Sequence, residues 1–101
     1  FRWSFYSYRS LAHLFRGEFD DAVSWARKSV QIPNAQYWAR AHLVSALGHL
    51  GDAGQAERAL AQLIQVKPEF TIAFAKEHLF YLKREDQIKL YIDGLMKAGV
   101  T

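Results

Sequence analysis

Cysteine is absent from the 101 residues. That removes disulfides, thiolate catalysis and cysteine-based zinc sites. Proline occurs only at Pro33 and Pro68, and no Val/Ile/Thr-rich alternating run reads as a strand. Long apolar runs are missing too. The uncharged stretch from Val30 to Ala39 contains Gln, Pro and Asn, so nothing spans a membrane as a helix. No H-E-x-x-H, no G-x-S-x-G elbow and no glycine-rich phosphate loop occurs. No catalytic residue, cofactor or metal is therefore expected. The chain opens on Phe1 without a signal-peptide pattern, which reads as a piece of a longer protein. Absence of cysteine is compatible with a cytoplasmic setting.

Half of the residues are hydrophobic, 15% are aromatic and 23% are charged. This is enough for one modest core and excludes a disordered tail. The net charge of +3 is spread thinly, so nucleic acid is an unlikely partner. One local bias stands out. Arg2, Arg9 and Arg16 share the first sixteen residues with no acid, at a spacing of seven that places them on one side of a helix. They read as a solvated face or as a docking strip for an acidic partner or a nucleic-acid backbone.

Between the glycines and prolines, apolar residues recur at helical spacing. Leu43, Ala46, Leu47 and Leu50 form one stripe; Ile88, Tyr91, Ile92, Leu95 and Met96 form another. The spacing predicts helices at 3–16, 19–32, 35–50, 53–66, 70–78 and 86–97. Asn34, Asp52 and Asp86 are the expected helix caps, and Pro33 and Pro68 the expected stops. The acid pairs Asp20-Asp21 and Glu85-Asp86 sit at helix starts, where negative charge offsets the helix dipole. Ala12 and Ala46, Gly17 and Gly51, Ala22 and Ala56, and Val30 and Ile64 are each 34 residues apart. A fixed period of paired helices means a stacked array.

This spacing resembles the tetratricopeptide repeat. The second unit follows that family's pattern through Leu43, Leu47, Gly51, Ala56, Leu60, Leu63 and Pro68, departing at Arg40 and Val44. The first unit keeps Tyr6, Ser10, Gly17, Phe19 and Ala22. It has Arg9, His13 and Ala26 at other pattern positions and is one residue short before Pro33. The resemblance implies an all-α, right-handed helical-repeat array in a single domain over 1–101: repeats at 1–34 and 35–68, then a partial third repeat and a C-terminal helix at 69–101. The run Pro68-Glu69-Phe70-Thr71-Ile72-Ala73, with the ending from Asp93 to Val100, is similar to the C-terminal end of repeat regions in bacterial class III adenylate/guanylate cyclases and related multidomain regulators. That implies an appendage of a signalling protein; no catalytic residue is carried over, because no cyclase domain is present.

In the tetratricopeptide family the first helix of each unit lines a concave groove that takes protein partners. Mapped at 34 residues, the groove positions are Ser4, Ser7, Leu11, Leu14 and Phe15, with Trp38, Ala41, Ser45, Gly48 and His49. Ser7, Leu11, Ala41 and Ser45 replace the basic-and-Asn clamp that some members use on peptide carboxylates. An apolar or aromatic partner segment is therefore expected. The last helix is expected to cap the open end of the core, with Lys89, Asp93 and Lys97 outward. Arg2, Trp3, Phe5, Tyr6 and Tyr8 form an N-terminal face suited to self-association. The resulting expectation is a non-enzymatic interaction module, with an oligomerisation or spacer segment as the alternative. His42 and His49 lie two turns apart and cannot chelate one ion.

Overall fold

A computed structural model describes residues 2–32, 36–79, 82 and 84–101, with no statement about the side chains of Arg2 and Trp3. Pro33, Asn34 and Lys83 lie outside the described residues. Among the described residues six helices run in order: α1 (Arg2–Phe15), α2 (Phe19–Val30), α3 (Tyr37–Leu50), α4 (Ala53–Val66), α5 (Ile72–His78) and α6 (Glu85–Lys97). Among the described residues there is no strand, and the array is all-α and helical-repeat in kind. No helix among the described residues is long and apolar enough to cross a membrane.

Local chemistry sets the ends. Gly17 and Gly51 take φ of 79° and 85°, the left-handed region where a Cβ is strained. At the end of α1 the Gly17 N–H bonds Leu14 O and the Glu18 N–H bonds His13 O, which satisfies carbonyls the helix leaves open. Asp52 caps α4 by accepting from the Gln55 N–H at 3.0 Å, as its position predicts. Asp86 does not cap α6. Arg84 holds that position, and Asp86 falls in the first turn with its carboxylate on the Arg84 guanidinium. Asp20 and Asp21 likewise lie in the first turn of α2, behind Glu18.

α1 packs on α2, α2 on α3 and α3 on α4, the order of two stacked hairpins. Small residues sit where helices meet: Ala22, Ala26, Ala41, Ala46 and Ala56 are all buried. Closely approaching backbones leave room only for a methyl group there. Phe70 and Phe74, around the start of α5, pack edge-on or tilted against Tyr37 and Trp38. α6 then folds back and lies across α3. The Cα extents of 27 × 27 × 25 Å follow from that return, since a third stacked hairpin would lengthen one axis.

Candidate functional site: the concave face and helix α6

The groove positions of α3 are covered by α6. Ser45 Oγ donates to Tyr91 O at 2.9 Å, and His49 Nε2 donates to Leu90 O at 2.6 Å. His42 Nδ1 and the Tyr91 hydroxyl share a buried hydrogen bond of 2.7 Å. Burial pushes the His42 imidazole down to about 3, so it stays neutral at ordinary pH. Close approach requires two glycines. A Cβ at Gly48 would overlap the Gly94 carbonyl, and one at Gly94 would overlap the Ser45 carbonyl and the His49 ring. Tyr91 and Leu95 are fully buried, while Lys89 and Lys97 are exposed as expected and Asp93 is half-buried. The last helix is amphipathic as its pattern predicts, but it packs mainly across α3 instead of stacking beyond α5.

The α1 positions of the expected groove are placed differently. Ser7, Leu11 and Leu14 are buried in the interior, and only Ser4 and Phe15 keep partial exposure. Ser7 Oγ bonds Ser29 Oγ at 2.8 Å, and Ser10 Oγ donates to Ala22 O at 2.8 Å. These bonds fix the face of α1 that meets α2. In the second hairpin the positions 34 residues beyond Ser7 and Ser29, Ala41 and Leu63, are buried in the same way. An exposed hydrogen bond from Arg40 to Gln62 lies beside them.

Phe5, Tyr8, Ala12 and Arg16 lie on the opposite side of α1 and are exposed, Phe5 at 56% and Tyr8 at 72%. Ala41, Ser45 and Gly48 are buried, and Trp38 and His49 are half-buried. Arg9 adjoins the bare stripe, its guanidinium 4.9 Å from the Trp25 ring centre, with Lys28 4.4 Å from that same centre. Phe5 and Tyr6 also meet Trp25.

Among the described residues, one histidine–carboxylate cluster has ligand atoms within 4.8 Å of one another: His13, Glu18 and Asp21. His13 Nδ1 is bonded to Glu18 Oε1 at 2.8 Å, and that hydrogen bond, ahead of the charges of His13 and Arg16, holds the Glu18 carboxyl below the usual carboxylate range. The pairing ties the α1–α2 turn together. No described buried side-chain N or O lacks a partner.

Two stacked helix hairpins with alanine at their contacts define a helical-repeat scaffold. The tetratricopeptide repeat pattern matches residues 3–28 and 37–62, just over half of the chain, and the chain belongs to that family. No curated protein and no solved structure matches it.

Proposed function

We propose that this chain is a non-enzymatic protein–protein interaction module that presents the concave side of its repeats to a partner. The observation that carries this reading is the pair of tetratricopeptide repeats, a scaffold that joins proteins. Of the residues expected to line the groove, Ser4, Phe15, Trp38 and His49 keep partial exposure. Ser7, Leu11, Leu14, Ala41 and Ser45 support the surface from beneath. In this reading residues 1–101 act as one domain, with residues 69–101 supplying the helix that shields α3. The similarity of the C-terminal third to repeat regions of bacterial nucleotide cyclases supports a place at the C-terminal end of a cytoplasmic signalling protein.

A photo-crosslinking amino acid at Phe15 or Trp38, compared with one at Gln65 on the outer side, tests the reading in cells. Adducts of discrete mass are expected at the first two positions and not at the third. Equal labelling at all three, or none, overturns it. The second reading, an oligomerisation segment, rests on the exposure of Phe5 and Tyr8. It predicts that the mass in solution rises with concentration and falls back with Tyr8→Glu.

A further inference from the structure

Three arginines carried by three different helices come together around one small cavity. On α4, Gln55, Arg58, Ala59 and Gln62 stand at i, i+3, i+4 and i+7, a stripe along one face of the helix. α2 adds Arg27 and α3 adds Leu43, and these six residues line a cavity of about 150 Å³. Buried Leu43 and Ala59 form its apolar part. Arg40, three residues before Leu43 on α3, joins the rim by donating from Nη1 to Gln62 Oε1 at 3.0 Å.

Charge and size then select the occupant. Like charges repel, and the partners the chain supplies here are neutral. Arg27 Nη2 donates to Gln55 Oε1 and Arg40 to Gln62 Oε1, both amide oxygens. Among the described residues, no ion pair includes Arg27, Arg40 or Arg58, and no carboxylate lines the cavity. Asp52 is the nearby acid. Its two oxygens already accept from the Gln55 N–H at 3.0 Å and from Gln55 Nε2 at 2.6 Å. Those bonds, and then the charges of Arg58 and Arg27, hold its carboxyl below the usual carboxylate range. A guanidinium has more N–H donors than these single bonds use. Its planar fork matches the oxygens of a phosphate or a carboxylate. Three cations favour the more highly charged of the two, and a phosphate ester carries about −1.5 to −2 at neutral pH. The cavity is smaller than the roughly 300 Å³ at which sites for drug-sized ligands begin, so a single group fits and a nucleotide does not. We infer that Arg27, Arg40 and Arg58, held in place by Gln55 and Gln62, bind one phosphate group, free or as a monoester. This goes beyond the interaction-module reading and does not depend on it.

The test titrates the full chain with sodium phosphate and, separately, with N-acetyl-phosphoserine amide. Chloride holds the ionic strength constant, and the arginine Nε–Hε NMR signals are followed. Saturable shifts are expected at Arg27, Arg40 and Arg58. None are expected at Arg9 and Arg84, which rest on Trp25 and Asp86. Arg58→Gln and Arg27→Gln are each expected to weaken binding about tenfold or more, with the helical circular dichroism unchanged. Arg58→Lys keeps the charge without the fork and is expected to weaken it less than Arg58→Gln. Arg84→Gln is expected to leave it as it is. Tighter binding of the phosphoserine derivative assigns the site to a phosphorylated side chain; tighter binding of inorganic phosphate assigns it to the free ion. Shifts that rise without saturation at every arginine, or binding indifferent to both Arg58→Gln and Arg27→Gln, overturn the inference. So does a single-stranded oligonucleotide lacking terminal phosphates that binds these arginines more tightly than either probe.

Discussion

α1 and α3 are the same element of two successive repeats, yet they live in different surroundings. α3 is enclosed by α2, α4 and α6, and its residues 41 to 48 are all buried. α1 has partners on one side and keeps Phe5, Tyr8, Arg9, Ala12 and Arg16 in water. The side chains register the difference. α3 places a neutral histidine, a serine and a glycine on its covered face, each matched to an atom or gap in α6. α1 leaves two aromatics and two arginines facing water. A single repeat sequence thus builds both a core helix and a surface helix, depending on what the rest of the chain lays over it.

The most severe way to break the enclosed half is to separate α3 from α6. Gly94→Leu forces side-chain atoms into the Ser45 backbone. It should cost about 3 kcal/mol or more, read as a lowered denaturant midpoint or loss of the folded state. Tyr91→Ala should cost about 3–5 kcal/mol by opening a cavity, and it leaves buried His42 without that hydroxyl. The same readout on Tyr8→Ala should move by no more than about 0.5 kcal/mol. Near-equal losses at the two tyrosines would erase the contrast between α1 and α3.

Acid probes the same seam. The folded His42 stays neutral down to about pH 3, whereas the unfolded histidine protonates near its ordinary value of 6.5. The unfolded state binds the proton first. Stability contributed by the neutral form is therefore present above pH 6.5 and is lost as pH falls toward 3, at roughly 1.4 kcal/mol per unit. Urea titrations between pH 7 and 4 should show this slope, and His42→Gln should flatten it. A slope unaltered in the variant would place the acid sensitivity elsewhere.

The smallest effect separates the two interhelix turns. Asp52→Ala removes a cap bond and should cost about 1 kcal/mol. Glu18, at the equivalent place, makes no cap bond to its helix and pairs with His13 and Arg16 instead. Glu18→Ala should cost less than Asp52→Ala by thermal unfolding. The reverse order would mean that the His13 pairing matters more to the turn than a cap does.

Much of the architecture was legible in the residues. Helix periodicity located all six helices to within two residues at either end, because spacing at 3.6 residues per turn is local information. The glycines at 17 and 51 and the alanines at 22 and 56 carried the repeat. Of the lining expected on α1, Ser7, Leu11 and Leu14 are buried, which spacing alone does not reveal because it depends on how α2 and α3 pack against that helix. Asp86 had the right residue type for a cap, but Arg84 began the helix sooner.

What the sequence determined alone was the kind of fold: paired helices, the family, the amphipathic last helix and the outward placing of Lys89 and Lys97. Those follow from local propensity and from a repeating pattern of apolar residues. Only the tertiary structure decided where the last helix goes. Nothing in the spacing of Gly48 and Gly94 says that they meet, since 46 residues separate them and each alone reads as a turn or a weak point in a helix. They meet because two helices can cross that closely only where neither carries a Cβ, and because Ser45, His42 and His49 give polar groups of α6 a partner in the interior.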